Sequence, residues 1–292
     1  MRGKVLVLGA GYAGLNTYYE LRRRGYQVLL FDQDDQFKFY SALFKLVEGK
    51  RMDWKSRISG VRKARVEDVD ESSITVKTED GYIQGDYMVI ALGCDKSDQV
   101  RVILDEKGGC IGTESEFDEY ITLQVSLLSK GKFKYHGSPL SWLGRRVSQA
   151  VEELATSGGL RTCETPNLIL PKCKPPAPYH TFLKPGNTLK LSEGVFAAGD
   201  VVGEGPKLGE LSMRMGIHVA NSIAKGESEF KPLFIHILYS PKGRGIRVKS
   251  DVPWGGRREE VSPQSWVYPY MKEFLYRYYL MRRGRMGLLK YL

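Results

Sequence analysis

The sequence predicts an α/β fold containing a parallel sheet. Three observations carry that expectation: continuous apolar runs at 4–8 (KVLVL), 28–31 (VLLF), 87–91 (YMVIA) and 195–198 (VFAA), helical stretches between them, and a glycine cluster at the first junction. Unbroken β-branched and leucine runs mark strands covered on both faces, and their alternation with helices marks βαβ units.

The elements follow in order. The run at 4–8 reads as the first strand, 15–24 as a helix, and Gly25 as its stop. A second strand at 28–31 ends at Asp32 and completes a βαβ unit. From 60 to 90 the pattern changes to short alternating strands, with turn signals at 70–73 and 79–81. The middle reads as helices at 116–128 and 145–154, strands at 132–136 and 167–170, and the proline-rich PKCKPPAP. The strand at 195–198 ends in Gly199-Asp200, and a helix follows at 208–224. No fixed-period repeat interrupts this order.

Composition bounds the function. With 292 residues, 42% hydrophobic and 27% charged, the chain is an ordinary globular protein and not a disordered or collagen-like one. No run reaches the roughly 18 apolar residues of a spanning helix, which leaves surface attachment open. The opening MRGKVLVLGAG leaves no room for a cleavable leader, so a cytoplasmic protein is expected. Cys94, Cys110, Cys163 and Cys173 lack C-x-x-C spacing, which argues against structural zinc. The expected compartment argues against disulfides, so buried free thiols are predicted. The four histidines are scattered without metal-ligand spacing. Net charge is +10, and residues 225–292 hold 14 Lys and Arg against 6 Asp and Glu. Such a local field favours an anionic partner.

The sharpest motif is Gly9-Ala10-Gly11-Tyr12-Ala13-Gly14, set between a strand and a helix. The first glycine permits a tight turn, the second lets backbone approach a diphosphate, and the third lets helix pack on strand. The helix N-terminus offers free N–H groups and a positive dipole end. Asp32, 18 residues past Gly14, stands where a carboxylate accepts hydrogen bonds from a ribose. A dinucleotide is the expected ligand, and this motif alone does not separate NAD from FAD.

The segment 188–200 (TLKLSEGVFAAGD) is the second motif. Here the chain resembles the two-dinucleotide-fold flavoproteins, especially type II NADH dehydrogenases and sulfide:quinone oxidoreductases. The resemblance implies FAD as cofactor and an FAD-binding Rossmann-like domain. It implies that Gly199-Asp200 binds the ribityl chain and that the next helix points its N-terminus, at Leu208 and Gly209, toward the flavin pyrimidine edge. A helix dipole stabilises negative charge there. Segment 65–67, with Val66, resembles the strand whose backbone contacts adenine. Segment 87–93, ending in Gly93, is similar to the family's strand ending in Ala-Thr-Gly, with Leu92 in place of threonine. Segment 37–49 resembles the flavin-facing segment without its usual proline. The resemblance covers 4–93 and 167–224.

Family members normally carry a second glycine fingerprint in an NAD(P)H lobe. The corresponding stretch, 137–144, reads GSPLSWLG, and only about 70 residues separate Gly93 from Asn167. Two linked βαβ units need roughly 30 each, so a reduced lobe that does not oxidise NADH by the usual route is expected. The sulfide:quinone branch uses a cysteine in its C-terminal part, and none follows Cys173 here. The implied organisation is an FAD-binding domain in two parts (1–98 and 165–230), a reduced second lobe (99–164) and a C-terminal membrane-surface region (231–292).

That last region interleaves Trp266, Tyr268, Tyr270, Phe274, Tyr276, Tyr278, Tyr279 and Tyr291 with Lys272, Arg277, Arg282, Arg283, Arg285 and Lys290. Met271, Phe274, Leu275, Tyr278 and Met281 or Arg282 follow helical spacing. Tyr and Trp suit a bilayer interface, and Arg and Lys reach lipid phosphates along it. The stretch reads as an anchor to an anionic membrane surface, against the alternative of a helix packed on its own domain. No nucleic-acid partner is expected.

The sequence therefore leads to an FAD-dependent oxidoreductase, peripheral on the inner face of the cell membrane. It would pass electrons from a sulfur compound, a protein or NAD(P)H to a quinone, with a homodimer or redox partner protein compatible. No catalytic residue is assigned. The alternatives are a non-catalytic FAD-binding scaffold or regulatory subunit of a membrane redox complex, and a unit that binds only NAD.

Overall fold

A computed structural model describes residues 2–203 and 205–291. Its main sheet has six strands in the order β13 (Lys190–Ser192), β14 (Val195–Ala197), β9 (Tyr87–Ile90), β1 (Arg2–Leu8), β2 (Tyr26–Asp32) and β5 (Val61–Lys63). All neighbours are parallel except β13 and β14. Val5, Leu6, Val7 and Leu8 are fully buried, as a strand covered on both sides requires.

One face carries α1 (Tyr12–Arg23) and α6 (Gly209–Lys225), which approach closely through small residues. Thr17 Oγ1 donates to the Gly216 carbonyl at 3.0 Å, and a Cβ on Gly216 would strike the Ala13 backbone. The other face is covered by the antiparallel sheet β6 (Val66–Asp70), β7 (Thr75–Thr78) and β8 (Gly81–Gln84), whose Val66 and Val76 pack with Leu6, Phe31 and Met88.

The second lobe is a small parallel sheet, β11 (Phe133–Tyr135), β10 (Gly109–Thr113) and β12 (Leu168–Leu170), with α3 (Ser97–Asp105), α4 (Glu119–Leu128) and α5 (Arg145–Gly158). The chain leaves the main sheet after β9 and returns after β12. The two connectors pair where Asp95 and Lys174 exchange backbone hydrogen bonds of 2.8 and 3.1 Å. A third, antiparallel sheet, β15 (Phe234–Tyr239), β16 (Gly245–Ser250) and β17 (Glu259–Val261), precedes α7 (Val267–Met281). The short pair β3 (Gln36–Lys38) and β4 (Lys55–Arg57), with α2 (Leu43–Val47) between them, completes the structure.

Two expectations are corrected. All four cysteines are paired, as Cys94–Cys173 and Cys110–Cys163, and none is a free thiol. The partners stand 79 and 53 residues apart, so spacing rules do not reveal them, and a compartment argument says nothing about which side chains a fold brings together. The C-terminal region is also more than a surface element. It contributes a sheet that the sequence reading missed, and α7 buries Lys272, Tyr276 and Tyr279 against the body. Asn16 holds the segment after α7 through the Gly284 carbonyl and the Met286 amide, both at 2.9 Å. Of the expected stripe of Met271, Phe274, Leu275, Tyr278 and Met281 or Arg282, Phe274 and Met281 face outward, whereas Met271 and Leu275 line an inner cavity and Tyr278 packs against the core. Leu292 and the side chain of Tyr291 lie outside the described residues.

Candidate active site

The site begins where β1 ends. Gly9 takes φ +103°, a conformation that only glycine adopts without strain, and its N–H donates to the Phe31 carbonyl at 2.8 Å. A Cβ on Gly11 would meet nothing within 4 Å, so this position faces open space. A Cβ on Gly14 would run into the Gly9 carbonyl oxygen, so the third glycine lets helix and strand touch. Gly9, Gly11, Tyr12, Ala13, Asp32, Gly93, Gly199 and Asp200 line one groove of about 210 Å³. Gly14 sits behind it.

Asp32, Asp34 and Asp200 put carboxylates in this groove. Asp32 accepts the Ala10 amide at 2.6 Å and the Asp34 amide at 2.9 Å, while burial pushes its carboxyl pKa up. Asp200 is buried too, which opposes ionisation, but the charges of Lys96 and Lys207 outweigh burial and hold it below the usual carboxylate range. Lys96 pairs with it at 2.5 Å and Ser212 Oγ donates to it at 2.8 Å. Lys207 Nζ is held by the carbonyls of Asp200, Val202 and Gly203.

Leu208 and Gly209 line a neighbouring cavity of about 200 Å³. Tyr12, Tyr40 and Lys96 line both spaces, so groove and cavity meet at these three residues. The cavity walls include Phe39, Leu43, Met213, Ile235, Leu275 and Tyr276, and its charged residues are Lys96, Lys207, Glu210, Arg214, Arg247, Lys249 and Lys272. Arg214 pairs with Glu210 at 2.9 Å. Lys272 is 7% exposed, and no carboxylate among the described residues pairs with it. Burial pushes its pKa down to about 7, with Lys45 acting the same way and Glu210 against. Burial, and then Lys272, push His236 well below the ordinary histidine value.

The sequence reading placed most of the groove and missed most of the cavity. Val66 stands apart from both, its side chain in the core beneath the sheet and its backbone laddered with Thr78. Lys96, Arg247, Lys249 and Lys272 were not foreseen as site residues. Lys96 had a weak signal, a lysine three places after Gly93; the others depend on a sheet and helix docked from far along the chain. Cys94 also lines the groove.

The donor set fits FAD. Open backbone at Gly11 and the N-terminus of α1 suit a diphosphate, Asp32 suits the adenosine ribose, and Asp200 with Lys96 and Ser212 offers acceptors and donors to a ribityl chain.

Comparison with known proteins agrees. Residues 4–42 match the family model for FAD dependent oxidoreductases. That match takes in the glycine turn, α1 and β2 and supports FAD as the cofactor and FAD-dependent oxidoreductase chemistry, and the fold is the one shared with two-dinucleotide-fold flavoproteins. Among solved structures, the chain is similar to the sulfide:quinone oxidoreductase of the hyperthermophilic bacterium Aquifex aeolicus. That likeness has TM-score 0.74 and 17% identity, and covers 97% of this chain and 92% of that one. It is also similar to an NAD-dependent persulfide reductase from A. fulgidus (TM-score 0.64, 15% identity, 84% of this chain and 63% of that one). A third is the NADH:rubredoxin oxidoreductase of Clostridium acetobutylicum (TM-score 0.60, 13% identity, 86% and 82%). No curated protein matches the sequence.

Proposed function

We propose that the protein passes electrons from a donor, through FAD, to a quinone at a membrane surface. The observation that carries this reading is the apolar cavity, which meets the flavin groove at Tyr12, Tyr40 and Lys96 and is walled by the inner face of α7. When bound, FAD supplies two-electron redox chemistry. The chain supplies the rest. Apolar side chains exclude water from the cavity and suit a flat, largely apolar ring. Lys272 Nζ, titrating near neutrality, can hold a proton or release it to an oxygen placed in the cavity.

The outer surface of the same region favours a bilayer. Trp266, Tyr270, Phe274, Met281 and Leu288 are 67%, 69%, 59%, 74% and 79% exposed, with Arg277 and Arg282 beside them. Among the described residues no helix is long and apolar enough to cross a membrane, so attachment would be peripheral. We place it on the inner face. Two disulfides are compatible with that side in heat-adapted cells, whose intracellular proteins are disulfide-rich. The similarity over 97% of the chain to a sulfide:quinone oxidoreductase supports a quinone as acceptor.

The test is anaerobic reoxidation. Protein reduced by sulfide, by a thiol or photochemically should regain its yellow colour on adding a short-chain quinone. Lys272→Met should slow that step about 100-fold, the lower end of ordinary acid–base contributions. Reoxidation by ferricyanide but by no quinone would remove the acceptor from the proposal.

A further inference from the structure

The cavity beside the flavin groove is walled by apolar side chains, yet its charges are mostly positive. Ile235 and Ile237 of β15 lie opposite Lys249 and Arg247 of β16, and alternation along a strand puts all four on one face of that sheet. All four line the cavity, together with Lys272 of α7 and with Glu210 and Arg214 from the first turns of α6. Glu210 is the one carboxylate among the described lining residues, and it is already paired with Arg214 at 2.9 Å. The acid opposite Lys249 on β17, Glu260, pairs instead with Arg258 at 2.6 Å.

Among the described residues, no carboxylate pairs with Arg247, Lys249 or Lys272. The first two are half-buried. Lys272 is buried, and its Nζ, 5.7 Å from the centroid of the Tyr276 ring, donates no hydrogen bond to any described residue. Burial raises the Glu210 pKa, opposed by Arg214 and then by Lys272 and Lys249, so the last two stand within electrostatic reach of the same carboxyl. A buried ammonium gives up its hydration, and further cations beside it add to that cost unless a counter-charge enters. A neutral ring brings none. A ring with a negative oxygen does, and it forms charge-assisted hydrogen bonds with the same groups.

We infer that the occupant of this cavity is an acidic quinone: a flat apolar ring carrying one group ionised at neutral pH, its negative oxygen held among Lys272, Lys249 and Arg247. The word quinone rests on the acceptor reading above, whereas the anion concerns the charge of the cavity alone. Phe39 and Leu43 supply apolar wall for the ring. A neutral quinone of the same size is then the poorer ligand.

The experiment is titration of the oxidised, flavin-loaded protein with two redox-inert probes, 2-naphthoate and naphthalene-2-carboxamide, which share a shape and differ by one charge. Binding is read from the change in the visible spectrum of the flavin, so sites remote from it stay silent. At neutral pH the naphthoate should bind about tenfold more tightly, the gain of one charge-assisted hydrogen bond. Equal affinities, tighter binding of the amide, or a spectrum that responds to neither probe would overturn the inference. Arg247→Gln/Lys249→Gln should bring the two affinities to within about twofold of each other. A full preference kept by that variant at a wild-type melting profile would also overturn it, because the anion would then lie elsewhere. The tenfold preference in a protein whose flavin no quinone reoxidises would support the anion position and remove the quinone. Reoxidation by quinones without the preference would do the reverse.

Discussion

At the end of β1 the chain turns through Gly9 and Gly11 into α1; the Gly9 and Ala10 amides go to the Phe31 carbonyl and Asp32, and the backbone at Gly11 stays open beside a groove of about 210 Å³. At the end of β11 it turns through 137–144 into α5, folds two leucines inward and sets the Glu119 and Glu259 carboxylates on the Ser138 and Arg146 amides. In both a strand runs through a turn into a helix, but α1 leads to β2, which pairs with β1, whereas α5 leads to β12, which pairs with β10 and not with β11. The difference lies in what fills the turn. A strand-to-helix unit provides dipole and amides in either place, but only the glycine-lined one leaves room for a ligand to use them.

Substituting glycines gives the largest expected effect. In Gly14→Ala the new methyl group would meet the Gly9 carbonyl oxygen, a backbone atom fixed by the sheet. We expect destabilisation of about 3 kcal/mol, the upper part of the overpacking range, and loss of bound flavin. In Gly137→Ala the methyl group would meet the ends of the Glu119 and Tyr135 side chains, which can shift. That change should cost about 1 kcal/mol and leave flavin content unchanged. Flavin-to-protein absorbance ratios and thermal melts compare the two. Equal flavin loss in both variants would erase the distinction between the turns.

Much of the open turn was legible in the sequence because its determinants are local. Glycines at fixed spacing, a buried strand before them and Asp32 after them all fall within the first 32 residues, and the structure unites them as read. Asp200 was reached through the resemblance of 188–200 to a flavoprotein motif, since Gly199-Asp200 alone would read as a turn, and it lines the same groove. The cavity was not. Lys272 lies on a helix whose periodicity marked Met271, Phe274, Leu275, Tyr278 and Met281 or Arg282 as the apolar stripe, yet the face turned inward carries Lys272, Tyr276 and Tyr279 beside only Met271 and Leu275 of that stripe. Both faces carry apolar residues, so periodicity alone could not choose between them. The stretch 137–144 was read as the place of a second fingerprint, but it follows β11, whereas the first βα turn of the lobe follows β10. What fills that stretch comes partly from Glu259, more than 110 residues further on.

The two disulfides sharpen the contrast at an intermediate magnitude. Cys94–Cys173 ties the outgoing and returning connectors, and Cys94 itself lines the open groove. Cys110–Cys163 lies within the second lobe. Chain-entropy reasoning for closures of 79 and 53 residues gives about 4 kcal/mol for each. Replacing either pair with serines should therefore lower the melting temperature by similar amounts. Only Cys94→Ser/Cys173→Ser should also speed flavin loss on dilution. If Cys110→Ser/Cys163→Ser released flavin as fast, the two lobes would not be separable in this way.

The smallest effect concerns charge. The turn after β11 sets carboxylates on the Ser138 and Arg146 amides, whereas the cavity buries a lysine that no carboxylate among the described residues pairs with. Lys272 has its folded pKa pushed down to about 7 from the ordinary 10.5, by burial first. Below pH 7 both folded and unfolded chains hold the proton, and the folded state bears the cost of the buried charge. Between about pH 7 and 10.5 only the unfolded chain holds it, so stability rises with pH across that window, by at most about 1.4 kcal/mol per unit. Urea unfolding at pH 7 and pH 8.5 should show this gain in wild type and not in Lys272→Met, and the difference between the two proteins cancels the other titrating groups. The same gain in both would mean that Lys272 stays charged in the cavity, and the proton assigned to its Nζ would have to be sought elsewhere.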